Sequence, residues 1–342
     1  MKKGTRGALI VVGTVLAALV GAEIWLRAFR PVQHREPLER STPPGVTFHQ
    51  VSAVAGLPFE LVPGAHGQYA GVEVKINALG QRGPAVERAK PPGTFRVVAI
   101  GDSLTFGYGA PQEDLWPAAL ERILQQDPAL VGARSVQVLN LGVSAYNSAN
   151  EARVLEAKAL DLDPDVIVVG YFLNDPQVAP LQALQRWFRE PELWEHSHLL
   201  RLVDAWRFAR AKDRHGNDGY RYLHDPDGGG WAMVLDAFGS MHRAASARRI
   251  PVVVATLPAF APRADWKTYP WSDLHEQVIA GARASGLVAF DTVPEFVADG
   301  RRPQDLCVDY EHPNGAGAEV IASAVAKALH ELLLRPADGG PR

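Results

Sequence analysis

Val97-Val98-Ala99-Ile100-Gly101-Asp102-Ser103-Leu104-Thr105-Phe106-Gly107-Tyr108-Gly109 is an apolar run that stops at Gly101-Asp102-Ser103 and passes into a helix-compatible stretch. Its β-favouring and small apolar residues, bounded by glycine, read as a buried parallel strand. Ser103 falls just past the carboxyl end of that strand, where open α/β sheets keep their ligands. A helix beginning there also points backbone N–H groups at any negative charge that develops beside the serine.

Outward from this stretch the chain alternates strand and helix. Further strands are expected at Ser135–Leu141, Asp165–Val169, Ile250–Leu257 and Leu287–Phe290. Helices are expected at Leu115–Gln126, Asn150–Leu160, Trp231–Arg248, Ser272–Ala284 and Gly315–Leu334, the last behind Asn314 as N-cap. Strands joined by crossover helices make a parallel sheet covered on both faces, so the fold class is α/β with a doubly wound five-stranded sheet. In the order 2-1-3-4-5 the first three strands are neighbours. The rhythm breaks at 176–230, where Trp187, Phe188, Trp194, Trp206, Phe208, Tyr220 and Tyr222 interleave with arginines. This insertion follows a strand's carboxyl end, so it is expected to form a lid or substrate wall, most of its aromatics packing on themselves.

The main domain is expected over 93–335, with a disordered tail at 336–342. Ahead of it, 31–45 reads as a proline-rich tether, and 46–92 as a β-rich preface in which Val72, Val74 and Ile76 alternate. Residues 1–30 open with Lys2, Lys3 and Arg6, followed by an uncharged run from Gly7 to Ala22 and then Glu23-Ile24-Trp25-Leu26. A helix needs about 20 apolar residues to cross a bilayer, and Gly7 to Leu26 just supplies them. Val20-Gly21-Ala22 has the small residues of a signal-peptide cleavage site, but Trp25 at interface depth favours retention, with Glu23 the one feature against it. Either way the bulk of the chain is expected outside the cytoplasm, held at the periplasmic face of the cell membrane if the helix stays and secreted if it is cleaved. Arginines on both sides leave the orientation undecided by charge.

A net charge of −3, from 35 basic and 38 acidic residues, gives no global field for nucleic acid. The single cysteine, Cys307, excludes an internal disulfide and a cysteine-based zinc site, and reads as a small buried hydrophobe.

A serine is a poor nucleophile at neutral pH and needs a base in hydrogen-bond reach, with a third group fixing that base's tautomer. Of the eleven histidines only His312 has an aspartate three residues before it, in Asp309-Tyr310-Glu311-His312. Pro313 keeps His312 extended, and an i to i+3 turn then brings the Asp309 carboxylate to the far ring nitrogen. Asp102 is a rival carboxylate, but adjacent residues rarely face each other well enough to orient a base.

Gly101-Asp102-Ser103-Leu104 and Asp309-x-x-His312 resemble the first and last blocks of the SGNH, or GDSL, hydrolase family. Asn77-Ala78-Leu79-Gly80-Gln81-Arg82-Gly83 resembles the sequence before the first block in membrane-anchored members. The resemblance runs from about Phe95 to Leu334 and implies a flavodoxin-like sheet and a serine ester hydrolase that needs neither cofactor nor metal. It further implies a backbone donor to the oxyanion at Gly142, after Asn140-Leu141, and a side-chain donor at Asn174, before Asp175. Each such donor is worth about 10² to 10³ in rate. The third block departs from the family's Gly-x-Asn-Asp, because Phe172 stands where the glycine belongs. Asp175 is expected to hold that loop.

The reading that follows is a membrane-tethered acyl or acetyl esterase acting on lipid or acylated-glycan esters. Ser103 is its nucleophile, His312 moves the proton, Asp309 orients the imidazole, and the Ser103 and Gly142 N–H groups with the Asn174 amide hold the oxyanion. Two alternatives use the same fold: a polysaccharide O-acetyltransferase, suggested by the anchor and the aromatic insertion, and a catalytically silent glycan-binding protein. A dinucleotide-binding reading fails because Gly101, Gly107 and Gly109 do not make G-x-G-x-x-G and the second strand ends in Asn140, without an acid. No Gly-x-Ser-x-Gly elbow offers a competing serine.

Overall fold

A computed structural model of the chain describes residues 3–32, 48–132, 134–177, 188, 193–228, 230–260 and 265–334. The expected tether at 31–45 falls almost wholly outside these residues, and the tail at 336–342 and Arg186, Trp187 and Arg189 do so entirely. The chain divides into two units, 1–38 with 189–222, and 39–188 with 223–342.

The first unit begins with α1 (Lys3–Phe29), whose stretch Gly7–Phe29 has a mean hydropathy of 2.2 and is long enough to cross a membrane. Its leucines, isoleucine and valines from Leu9 to Val20 are exposed, a surface suited to lipid rather than water.

The second unit begins with two antiparallel ribbons, β1 (His49–Val51) with β2 (Phe59–Leu61) and β3 (His66–Tyr69) with β4 (Val72–Lys75). Val74 and Ile76 are buried and Val72 is half-buried, the alternation expected of them. Two-stranded ribbons are marginal alone. These find their core elsewhere: Phe48, Phe59, Leu61, Tyr69 and Val74 join the same apolar cluster as Val98, Ile100, Val154 and Phe238.

β5 (Thr94–Gly101) is buried at every position. Its one charge, Arg96, is satisfied there by Gln137 Oε1 at 2.8 and 3.0 Å and by the Leu162 carbonyl at 2.7 Å. α2 (Ser103–Phe106), α3 (Trp116–Gln125), α4 (Pro128–Val131), β6 (Ser135–Asn140), α5 (Ser148–Ala157) and β7 (Val166–Tyr171) follow. α5 starts two residues earlier than expected because Asn147 caps it: its Oδ1 accepts from Asn150 N at 3.0 Å, and Asn150 Oδ1 accepts from Asn147 N at 3.3 Å.

The chain then re-enters the first unit with α6 (His198–Asp213) and leaves it through α7 (Gly219–Leu223). Phe208 and Tyr222 pack edge to face at 5.3 Å, the self-packing expected of the insertion, but Trp206 is exposed. α8 (Trp231–Ser246), β8 (Val252–Thr256), α9 (Ser272–Ala284), β9 (Val288–Asp291), α10 (Val293–Asp299) and α11 (Gly315–Leu334) complete the second unit.

The five main strands lie parallel in the order β6-β5-β7-β8-β9, which is the expected 2-1-3-4-5. Val97 pairs with both Val138 and Val166. Val98, Ile100, Ile167, Val169 and Val254 join Val154 of α5, Phe238 and Met241 of α8 and Val278 of α9. Their alternates Val97, Val166, Val168 and Val253 are equally buried on the other face, where α3 packs on β6 and against α11. Cys307 departs from expectation: it is half-buried in a bridge opposite Pro313, with its thiol on the surface side of the core. Burial, and then the Asp309 and Asp305 charges, raise its pKa and keep it from ionising.

Candidate active site

β5 ends at Gly101, Asp102 caps α2 by accepting from Leu104 N at 2.8 Å, and Ser103 opens the helix. The Ser103 N–H therefore belongs to a first turn, where amides have no intrahelical acceptor. α2 is short because Gly107 ends it in a left-handed conformation at φ 90°. It sits on glycines at three strand ends. A Cβ on Gly101 would lie 2.2 Å from Thr105 Oγ1, one on Gly142 would lie 2.3 Å from Phe106 N, and one on Gly170 would lie 2.6 Å from Thr105 Oγ1. The close approach of α2 to β5, β6 and β7 thus leaves no room for a Cβ at these three positions unless α2 shifts.

His312 reaches Ser103 from a tight loop before α11. Val308 N donates to the His312 carbonyl at 2.8 Å and Asn314 N to Leu306 O at 3.1 Å. His312 Nε2 lies 2.8 Å from Ser103 Oγ, and Nδ1 lies 2.9 and 3.0 Å from the two Asp309 oxygens. Asp309 Oδ1 also accepts from His312 N at 2.7 Å and Glu311 N at 2.8 Å. Burial alone would raise the Asp309 carboxyl, but the His312 hydrogen bond and charge and these two amides hold it down at about 2. An ionised Asp309 favours the proton on Nδ1, which leaves Nε2 to accept from the serine hydroxyl.

The rival carboxylate is turned elsewhere. Asp102 Oδ2 is 3.5 Å from Ser103 Oγ, and burial pushes this carboxyl up to about 6 against the Leu104 amide, His312 and Asn174, which lower it. Asn174 follows a turn in which Asp175 holds Phe172 both ways: Phe172 N donates to Asp175 Oδ2 at 3.2 Å and Asp175 N to Phe172 O at 2.9 Å. Asp175 therefore holds the loop. Phe172 is buried at an ordinary negative φ, so the turn needs no glycine there and the departure from the family pattern is accommodated. Asn174 is near enough to Asp102 to lower its pKa, which puts it beside the serine.

Gly142 differs from expectation in its hydrogen bonding. Its N–H donates to Asn140 Oδ1 at 2.9 Å, while Asn140 Nδ2 donates to Thr105 O at 2.8 Å. The carboxamide of Asn140 ties the β6 loop to α2, and the Gly142 amide takes part in that tie.

Four residues of this region stood outside the sequence reading. Tyr108 packs against His312 with the rings tilted by 36° and their centroids 4.6 Å apart, and Tyr69 meets Tyr108 edge to face at 5.8 Å. Arg82 donates to the carbonyls of Phe106 at 3.0 Å, Ala110 at 2.6 Å and Gly107. Glu151 is wholly buried, and neither carboxyl oxygen has a partner among the described residues. Burial, then the Asp102 charge, push its pKa well up and favour the protonated form. The only signal for Arg82 was the family-like run 77–83 that contains it; Glu151 reads in sequence as an ordinary solvated acid in a helix's first turn.

The pattern that defines the GDSL-like Lipase/Acylhydrolase family matches residues 99–320. No curated protein matches the chain. Similar solved structures include a two-domain esterase active on acetylated mannans, at 14% identity over 73% of this chain and 52% of that one, TM-score 0.44. An alpha/beta hydrolase enzyme from the metagenome of Lake Arreo, Spain, matches at 18% identity over 69% and 94%, TM-score 0.44. An acetylxylan esterase from Geobacillus stearothermophilus, crystallised as a catalytic mutant, matches at 16% identity over 69% and 94%, TM-score 0.43. The chain spans about half the length of the two-domain esterase.

Proposed function

The chain belongs to the GDSL-like lipase/acylhydrolase family and is a carboxylic ester hydrolase, and from that premise we propose that it cleaves acyl esters through Ser103, His312 and Asp309. The observation that carries this reading is the pair of contacts on one imidazole, Nε2 to Ser103 Oγ at 2.8 Å and Nδ1 to Asp309 at 2.9 Å. Ser103 Oγ attacks the ester carbonyl carbon as His312 Nε2 takes its proton. The tetrahedral intermediate collapses when that proton passes to the departing alkoxide, leaving an acyl-Ser103. Water, deprotonated by the same nitrogen, then releases the acid. Asp309, ionised throughout, keeps the Nδ1 proton in place and offsets the imidazolium charge.

The oxyanion meets the N–H of Ser103 and the side-chain amide N–H of Asn174, which lies beside Asp102. Gly142 joins these donors by exchanging Asn140 Oδ1 for the oxyanion. α1 tethers the enzyme to the membrane and leaves its bulk outside the cytoplasm. The exposed apolar stretch Gly7–Phe29 supports that part of the reading.

A p-nitrophenyl ester series of graded acyl length, assayed with a fluorophosphonate probe, tests the chemistry. The chain is expected to turn over at least the short esters and to take one equivalent of probe at Ser103. Ser103→Ala is expected to lose both, falling by about 10⁴-fold or more in kcat. Retained turnover in that variant would remove the assignment.

A further inference from the structure

α6 is a 16-residue helix with no buried residue, so something other than its own unit must account for its apolar side chains. Leu199, Leu202, Val203 and Trp206 recur at i, i+3, i+4 and i+7 and form one face. Leu202 is 46% exposed, Val203 43% and Trp206 59%. Arg207 flanks this face, and Arg210, one turn past Trp206, ends it with its guanidinium 5.5 Å over the Trp206 ring.

The start of α6 is bonded to α1. Glu23 Oε1 accepts from His198 N at 3.0 Å, and Oε2 accepts from Leu199 N at 2.8 Å and Ser197 Oγ at 2.9 Å. Arg27 Nε pairs with the same carboxylate at 2.6 Å. An acid inside an apolar span is costly unless it is paired. Here it is paired by Arg27 and by the first amides of α6, which resolves the one feature of α1 that argued against a membrane span.

Depth follows from helix geometry. At about 1.5 Å per residue, a hydrocarbon core of about 30 Å entered at Gly7 ends near Leu26, so Glu23 lies about 5 Å inside its far edge. The α6 amides that bond Glu23 share that level. Trp25, 51% exposed, and Phe29, 72% exposed, mark the same end of α1 with the aromatic residues that collect at lipid–water boundaries.

We propose that α6 lies along the lipid surface of the bilayer that α1 crosses, with Leu199, Leu202, Val203 and Trp206 in the acyl boundary and Arg207 and Arg210 at the headgroup phosphates. This rests on the membrane tether proposed above. It makes the insertion a second membrane contact, so the first unit is held to the bilayer by a spanning helix and an interfacial one.

Nitroxide labels on the full chain in phosphatidylglycerol-containing nanodiscs test it, with Cys307→Ser as background. Labels go on Val203→Cys and Trp206→Cys on the apolar face, Asp204→Cys off it, and Leu16→Cys in the middle of α1. Oxygen is expected to relax the labels at 203, 206 and 16 severalfold more strongly than a water-soluble nickel chelate, with the reverse at 204. Nickel-dominated relaxation at both 203 and 206, with 16 still oxygen-dominated, overturns the interfacial helix and leaves the anchor standing. Nickel-dominated relaxation at 16 as well removes the anchor and this proposal together. Spin–spin broadening between copies at 206 assigns the face to a second chain and also overturns it.

Discussion

Arg82 is 1% exposed, and its three acceptors are backbone carbonyls, those of Phe106, Gly107 and Ala110. Burial lowers its pKa to about 10, so it stays charged at neutral pH, and its guanidinium lies 4.8 Å over the Phe106 ring. The segment it grips carries Tyr108, whose ring packs tilted against His312, so Arg82 acts on the imidazole through that ring. A displacement of about 1 Å at a reacting group costs about 10²-fold, and Arg82→Gln is therefore expected to lower kcat by ten- to a hundredfold with KM little changed. Arg82→Lys recovers only part of this, because a point charge does not match three carbonyls spread around a planar fork. Steady-state kinetics on an acetyl ester, with probe labelling of Ser103 as a count of folded sites, measures both.

Glu151 has a consequence for pH. Its folded pKa lies above the 4.5 of an unfolded glutamate, so the native chain keeps a proton that the unfolded chain gives up. Stability from this group is complete below pH 4.5 and is lost as pH rises toward the folded value. Glu151→Gln removes that titration. It is expected to shrink the fall in thermal midpoint between pH 5 and pH 9, and an unchanged fall would mean that Glu151 is ionised in the native state.

At the scale of elements, the feature that places Ser103 is the seat of α2 on three strand ends. Overpacking a tight contact typically costs about 1–3 kcal/mol, and Gly142→Ala is expected to lower the urea midpoint accordingly. It should lower turnover further than the lost folded fraction explains, because the displaced atoms are Thr105 and Phe106 of the helix that Ser103 opens. Gly83→Ala, with nothing within 4 Å of the added carbon, serves as the neutral control. The elements themselves were legible in sequence where one physical signal dominated. The apolar run of Val166–Tyr171 reads as an interior strand, and Gly315–Leu334 starts behind Asn314, whose Oδ1 accepts from Ala316 N and Gly317 N at 3.0 and 3.1 Å. The start of α5 was misplaced because Asn147 and Asn150 cap each other through side chains, a pairing that apolar periodicity does not register.

For the whole molecule, the family-matched segment is smaller than the folding unit. Residues 99–320 carry the family pattern, yet Phe48, Phe59, Tyr69 and Val74 lie in the sheet's own core. Phe59 is fully buried, and the Tyr146 hydroxyl donates to its carbonyl at 2.6 Å. Truncating a buried phenylalanine costs about 3–5 kcal/mol, so Phe59→Ala is expected to destabilise the hydrolase unit by that amount in urea unfolding. A change under about 1 kcal/mol would show the preface to be an appendage.

By itself the sequence determined the five parallel strands and the helices that cover them, and it singled out Ser103, Asp309 and His312 as candidates. Those features are written in local periodicity and short spacing, as in the i to i+3 relation of Asp309 and His312. Tertiary structure alone decided what depends on groups far apart in the chain meeting in space. It directed the Gly142 amide to Asn140, set Arg82 beneath the loop of Tyr108, buried Glu151 with no partner among the described residues, and joined Glu23 to the start of α6 across more than 170 residues. The reason is physical: a polar group's partner is whatever folding leaves within about 3 Å of it, and for a charged residue the chain's local pattern reads the same whether that partner is water or another side chain.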